Sequence, residues 1–482
     1  MTEIRKNIRS GVFYTAISKY SNIAASIIIS AVLARLLTPS EFGVVAIIIV
    51  FISFFNLLSS FGIGSAVVQN KSLSDEDISS IFTFSILFGF ILAVIFFFIS
   101  PIIASFYNQP VLANLSRLMS LTIFFNSLQI VPNAVNLKNL RFRELGIISI
   151  GVHVLSGIIA VVLAYMGFSY YALIINSIIN ALLLFIAYYY LAPIKPTLSI
   201  KFGSINKIIK YSTFQFLFQF INYFSGNTDS LLIGKFFNAS ALGFYDKAVR
   251  LMLMPVQNLT HVITPVLHPV LSEYQDDKTV IYNTYVRIVK LLALIGFPLS
   301  VFLHFNASEI INIIYGPQWN QSIPVFKLLA LSVGIQIILS SGGSICQATN
   351  RTDLLFYSGL LSTIVMLLGI SYGVFIGKSL VSIGFGILFA VSINVFQAFY
   401  LVIKHALNQS YTRFLKVLVF PVILSIGVAS TLWLISFLTI GNIIVSLLIK
   451  FFITIFTIFL ILLMSKENLS FLKENGLKLL KK

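Results

Sequence analysis

Cysteine is almost missing from this chain of 482 residues: Cys346 is the single one. That excludes an internal disulfide framework and any multi-cysteine metal site, and suits a small core residue. The five histidines, His153, His261, His268, His304 and His405, are scattered with none of the tight spacings that metal sites use. Charge is scarce as well. Only 10% of residues are Asp, Glu, Lys or Arg, against about 25% in an ordinary soluble domain. Acidic residues are the rarer sign, 15 against 32 basic. No P-loop is present, which argues against ATP hydrolysis by this chain. No connection between apolar stretches is long enough for a soluble domain. The longest segment expected on the outer side, Asn306 to Gln321, carries Glu309 as its one acidic or basic residue, too little for a catalytic constellation.

What the chain has in abundance is apolar sequence. Hydrophobic residues make up 58%, and apolar runs of 18 or more recur from end to end, each long enough to cross a hydrocarbon core of about 30 Å. The fold class is therefore all-α: a polytopic integral membrane protein of about fourteen helices. The expected spans are centred on 11–37, 42–61, 78–99, 112–131, 145–166, 168–191, 206–234, 242–269, 284–305, 322–345, 354–376, 380–403, 414–437 and 441–464. The first apolar segment carries Lys19 and Asn22 and lacks a small-residue cleavage site, so it is expected to remain as the first span rather than act as a signal peptide.

The net charge of +17 has a topological reading rather than a nucleic-acid one, because Lys and Arg collect in cytoplasmic loops. With an even number of spans, most basic residues fall on one side, among them Arg5, Lys6 and Arg9, Lys138, Arg141 and Arg143, and the final tail. Both termini are thereby expected in the cytoplasm.

The stretch from Ile205 to Arg250 organises the rest. Gln215, Gln219, Asn222, Gly226 and Asp229 recur at helical spacing and share one face. An offset of 200 sets Gln215, Gln219, Asn222, Gly226 and Ser230 on Thr15, Lys19, Asn22, Ser26 and Ser30, without a gap. It sets Lys235 on Arg35, Ser240 on Ser40 and Gly243 on Gly43. Chance similarity between apolar segments is the competing explanation, and the shared basic residue, turn and glycine weigh against it. Arg141 and Arg351 look like further counterparts. The expected plan is two parallel six-helix lobes, 1–192 and 193–404, then two additional helices in 405–464 and a basic tail, 465–482. Parallel repeats with a pathway between them make a transporter plan.

Polar residues within the spans have a plain reading: amides and hydroxyls bond between packed helices, typically for less than about 2 kcal/mol. Several aligned stripes, including Thr122, Asn126, Gln129 and Asn133, with Asn56 and Gln257 on other helices, point instead to a wide hydrated cavity. Charges weigh more, since an ionisable group at mid-bilayer costs about 2.5–3.5 kcal/mol even on insertion scales. Lys19 lies too deep in the first span to snorkel easily. Arg35 and Lys235, at helix ends, can snorkel to the interface. Asp246 and Arg250, at i and i+4, should pair, leaving Lys247 as the cation beside them. Asp229 could neutralise a cation or bind a coupling H+ or Na+. Pro255, Pro265 and Pro269 fit either a hinge or a static bend in the eighth helix, where His261 and His268 read as packed polar groups.

At ARLLTPSEFG (Ala34–Gly43) and FGIGSAVVQNKSLSDEDISSIF (Phe61–Phe82) the chain resembles Wzx-like polysaccharide flippases for O-antigen, capsule or exopolysaccharide, in the multidrug/oligosaccharidyl-lipid/polysaccharide (MOP) exporter superfamily with its MATE-like fold. DSLLIGKFFNASALGFYDKAVRL (Asp229–Leu251) resembles the same family's second-half segment. The resemblance runs over essentially the whole chain. It implies a non-enzymatic transporter in the bacterial inner membrane. Its cargo would be an undecaprenyl-diphosphate-linked oligosaccharide, carried from the cytoplasmic to the periplasmic leaflet by alternating access. No cofactor is implied beyond H+ or Na+ coupling, with Asp229 the candidate. The implied partners are the lipid-linked substrate and membrane lipids, with a polymerase and a chain-length regulator, and no nucleic acid. A diphosphate needs cations: Lys19, Arg35, Lys235, Lys247 and Arg250 are the candidates, Lys19 first. Sugars need amides: Asn22, Asn126, Gln129, Gln215, Gln219 and Asn222. Two alternatives stay open, a MATE-type exporter of small organic cations, which should show acidic groups in its cavity, and a membrane enzyme acting on lipid-linked sugars.

Overall fold

A computed structural model of the chain describes residues 2–70, 72–197, 216, 219–220, 223–224, 226–275, 277–438, 440–465, 468 and 470, with backbone alone for 2–13 and 261–270. Gln215 and Asn222 of the expected polar face lie outside these residues. Every regular element among the described residues is helical. Among the described residues, twelve helices are long and apolar enough to cross a membrane. The expected spans 206–234 and 242–269 come in addition to these, so the expected fourteen is consistent with the structure.

The chain divides into two compact units, Met1–Gly243 and Phe244–Lys482. The lobe limits expected from the repeat, 1–192 and 193–404, follow sequence correspondence rather than contacts.

In the first unit, α1 (Thr2–Leu36) packs on α6 (Phe142–Tyr165), and α5 (Val111–Lys138) packs on both α4 (Asp75–Tyr107) and α7 (Tyr170–Leu191). The helix starts are written in the sequence. Thr38 precedes α2 (Pro39–Ser60) and forms a capping box with Glu41, with Pro39 in the first turn. Ser74 does the same for α4 with Asp77. Each box satisfies backbone N–H groups that the first turn leaves without partners. Both boxes lie inside the motifs that carry the family resemblance, so those motifs are in large part helix-start signals. Phe61 and Gly62, at φ 33° and 69°, break the second span, and it resumes as α3 (Ile63–Gln69).

Residues 226–236 are helical and end before α8 (Ala239–Ser272), whose first turns, to Gly243, belong to this unit. Asn238 Oδ1 accepts from the N–H of Ala241 at 2.8 Å, the capping role that Thr38 plays 200 residues earlier. An aromatic cluster seats the preceding helical residues on α2. Phe54 meets the rings of Phe220, Tyr223 and Phe224, and the Tyr223 hydroxyl donates to the Val50 carbonyl at 2.6 Å.

In the second unit, α8 runs on as unbroken helical backbone to Ser272. It is followed by α9 (Lys278–Phe305), α10 (Ala307–Ile314), a short 3-10 turn (Pro317–Ser322), α11 (Ile323–Leu339), α12 (Gly342–Ala348), α13 (Thr352–Ser371), α14 (Leu380–Tyr400), α15 (Tyr411–Ile435) and α16 (Ile443–Met464). Helix α9 packs against α11 and α15, α11 against α14, and α15 against α16. Tyr285, Phe399 and Phe414 form a buried aromatic cluster. The segment Asn306–Gln321, expected as an outer loop, is mostly helical. Its Glu309 forms an ion pair with Lys450 of α16 and accepts from the Ser446 hydroxyl at 3.2 Å.

The repeat is visible inside each unit. After α5, Leu140 takes a left-handed conformation (φ 57°) and Arg141 N–H donates to the carbonyl of Asn136; after α12, Asn350 (φ 55°) and Arg351 N–H to Cys346 do the same. The guanidinium of Arg141 then donates to the carbonyl of Leu191, where α7 ends. That of Arg351 donates to the carbonyl of His405, just after α14, at 3.1 Å. Each arginine places a cation at the negative end of a helix dipole.

Candidate functional site

Helical spacing put the candidate groups on common faces, but a face says nothing of what lies opposite. On α1 the expected stripe is partly a zipper. Ser18 Oγ donates to the Gly146 carbonyl at 3.3 Å, Asn22 Nδ2 to Ser149 Oγ at 2.9 Å, and Ser26 bonds His153 Nε2 at 2.8 Å. Asn22 thus holds α1 to α6, while its buried Oδ1 has no partner among the described residues. Lys19, on the same helix, is half-buried and makes no hydrogen bond or ion pair with any described residue.

The structure brings one set of expected groups together. Gln129 Nε2 donates to Asn126 Oδ1 at 2.8 Å, and Asn126 Nδ2 donates to Asn56 Oδ1 at 3.3 Å, a chain of amides linking α5 to α2. All three are half-buried. A chain of this kind keeps its end groups, the Gln129 carbonyl and the Asn56 amide nitrogen, for a further partner. Gln219 is likewise half-buried. Asp229 Oδ1 accepts from the backbone N–H of Ser230 at 2.7 Å, a local bond next to its own residue.

The five expected cations differ in their surroundings. Arg35 is exposed in the last turn of α1, where the helix dipole favours a cation. Lys235 donates to the Phe106 carbonyl near the end of α4, and its ammonium sits 4.3 Å from the centre of the Phe106 ring. Arg250 pairs with Asp246 at 2.7 Å, the i, i+4 pair that the spacing predicts. Lys247 departs most from expectation. It is 2% exposed, with its ammonium 4.9 Å from the Tyr315 ring centre and 5.5 Å from that of Trp319. Cation–π attraction and burial give it a packing role. Sequence spacing missed these rings because they lie about 70 residues away in the chain, across the fold. It also missed the pairing of Lys450, although Ser446, Lys450, Thr454 and Thr457 recur at helical spacing and are all buried.

Among the described residues no group of His, Cys, Asp or Glu has the proximity to hold a metal ion.

Comparison with known proteins bears on most of the chain. The profile of a family described as "Polysaccharide biosynthesis protein" matches residues 32–324. The lipopolysaccharide biosynthesis protein WzxC of Escherichia coli (strain K12) is 25% identical over 440 residues, 88% of this chain and 86% of that protein. The teichuronic acid biosynthesis protein TuaB of Bacillus subtilis (strain 168) is 26% identical over 365 residues, 75% of this chain and 76% of its own length. Among solved structures, the lipid II flippase MurJ in an inward closed conformation superposes with a TM-score of 0.75 at 16% identity, covering 93% of this chain and 97% of MurJ. An inward-facing multidrug MATE transporter of the MOP superfamily gives a TM-score of 0.66 at 13% identity, covering 82% of this chain and 95% of its own. At these identities the structural likenesses define the fold.

Proposed function

This chain belongs to the polysaccharide biosynthesis protein family of MOP-fold membrane proteins, and on that premise we propose that it is a flippase. It moves an undecaprenyl-diphosphate-linked oligosaccharide from the cytoplasmic to the periplasmic leaflet of a bacterial inner membrane, by alternating access and with both termini cytoplasmic. The observation that carries the proposal is the family match over 32–324 on a chain whose fold follows MurJ over 93% of its length.

The residues support a division of labour. Lys19 is the first candidate for the diphosphate, because it is half-buried within the first span and no described residue neutralises it, so a ligand's charge would offset the cost of a cation at that depth. The amide chain Asn56–Asn126–Gln129 offers paired donors and acceptors suited to sugar hydroxyls. Asp229 is the candidate for H+ or Na+ coupling. The work is binding and reorientation, with no bond made or broken. A polymerase and a chain-length regulator are the proposed downstream partners.

The test is lipid analysis of a deletion strain together with a leaflet-accessibility assay. Intact lipid-linked repeat units should accumulate on the cytoplasmic leaflet. Completed units that reach the periplasm but stay unpolymerised would refute flipping. Lys19→Ala should lose surface polymer at normal protein level, and unchanged polymer would remove Lys19 from the site.

A further inference from the structure

The seam between α1 and α6 runs from Tyr14 to Leu37 and changes character halfway. Its C-terminal half is apolar. Ile29 fills a notch at Gly157, where a Cβ would lie 2.1 Å from the Ile29 Cδ1, and Leu33 and Leu37 pack with Ala160 and Ala164. The N-terminal half is bonded instead. The Arg143 guanidinium lies 5.7 Å from the Tyr14 ring centre, and Ser18, Asn22 and Ser26 then bond Gly146, Ser149 and His153 in turn.

These bonds are not what lets α1 enter a membrane. Apolar residues at 18, 22 and 26 would insert more readily, and a bonded amide or hydroxyl between helices adds little net stability. What the bonds add is direction. Apolar contact between helices in lipid has no hydrophobic drive behind it, because lipid tails are as apolar as leucine, so it sets rotation loosely. A hydrogen bond weakens steeply once its angle is lost. Three of them, about one turn apart on α1, fix both its rotation and its register against α6. Lys19 stands inside this bonded stretch, next to Ser18 and three residues before Asn22. At about 100° of turn per residue, its Cα–Cβ bond leaves α1 on the flank of the seam rather than into it.

We propose that Asn22 and Ser149 are positioning residues for transport: their bond, with those of Ser18 and Ser26 on either side, holds Lys19 at one angle to the diphosphate. The inference rests on the reading of Lys19 as the diphosphate ligand. It moves Asn22 from the sugar-binding amides to the support of the cation beside it. Binding groups have to be held within about 10–20° of their productive direction, which the apolar half of the seam does not secure for the bonded half. Asn22 and Ser149 act through Lys19 and touch no substrate themselves.

The experiment reads the position of residue 19 and transport separately, on the full-length protein. A cysteine at position 19 reports its surroundings through its rate of modification by a charged thiol reagent. Cys346, the single native thiol, is buried and gives little background. Adding N22A/S149A to K19C should change that rate by about fivefold, what the loss of one such bond corresponds to. With Lys19 in place, N22A/S149A should lower transfer between leaflets by about the same factor at normal protein amount. The exchanged pair N22S/S149N, which keeps an amide–hydroxyl bond across the seam, should restore both. An unchanged modification rate would overturn the positioning. Transport that falls only in proportion to folded protein would do so too, leaving a packing contact. A restored rate without restored transport in N22S/S149N would make Asn22 a ligand of the substrate itself, against the proposal. The reading beneath fails differently: Lys19→Ala would then transport normally, whatever the rate at residue 19. Should the double variant not fold, Ser149→Ala removes the acceptor hydroxyl alone and should move rate and transport in the same sense; no change in either would overturn the assignment.

Discussion

Gly43 and Gly243 are in reciprocal close contact. A Cβ built on Gly43 would lie 1.6 Å from the carbonyl oxygen of Ala239, and one on Gly243 would lie 2.0 Å from that of Pro39. Each glycine faces the backbone four residues before the other, and both pairs are 200 residues apart. The first turns of α2 and α8 therefore meet as a local two-fold, backbone against backbone, in a space that excludes any side chain.

Alanine at either glycine should push the two turns apart. Overpacking of this kind typically costs about 1–3 kcal/mol. Gly43→Ala and Gly243→Ala should each lower the thermal midpoint of the purified protein and reduce surface polymer. Gly151→Ala, where a Cβ meets nothing within 4 Å, should leave both unchanged. Equal behaviour of all three variants would remove the contact from any structural role.

The twin arginines should not be equivalent. Arg141 is half-buried and serves Asn136 and Leu191, whereas Arg351 is 40% exposed and shares its charge with Asp353 at 2.8 Å. Loss of Arg141 leaves the Leu191 carbonyl at the end of α7 without this donor, at about 1–3 kcal/mol. Arg141→Ala should therefore lower the melting midpoint more than Arg351→Ala does. The opposite order would contradict the assignment.

The Glu309–Lys450 pair should be sensitive to removal of one member and tolerant of removal of both. The two side chains are 12% and 11% exposed. Glu309→Gln strands a buried ammonium, at about 3–5 kcal/mol, whereas apolar replacement of a whole buried pair is often close to neutral. A double-mutant cycle with Glu309→Leu and Lys450→Leu should give a double variant more stable than either single one. Additive losses would mean that the two groups do not depend on each other.

Lys247 and Lys19 should separate into packing and transport. Lys247→Ala empties the box made by Tyr315 and Trp319 and should cost about 1–2 kcal/mol in lost cation–π attraction and burial. Polymer should then fall in proportion to protein amount, as quantified by immunoblot. Lys19→Ala should leave protein amount unchanged. Normal stability of Lys247→Ala with abolished transport would return Lys247 to the substrate site.

Much of this architecture was legible residue by residue. Thr38 with Glu41 and Ser74 with Asp77 announce helix starts through local bonds, and local bonds need only neighbours in the chain. The Asp246–Arg250 pair was legible for the same reason, being one helical turn apart. The stripe on α1 was legible as a stripe but not as a zipper. Ser149 and His153, which receive Asn22 and Ser26, are about 127 residues away.

By itself the sequence determined that the chain is a many-span helical membrane protein built on a repeat, because apolar length, helix caps and charge asymmetry are read within a few residues of one another. Gly43 and Gly243 already stood in register there. Only the tertiary structure decided what each polar group faces. It joined Asn126 to Asn56, closed two rings over Lys247 and set Glu309 on Lys450. Partners of this kind come from distant helices, and helical periodicity places a side chain on a face without specifying the surface that packs against it.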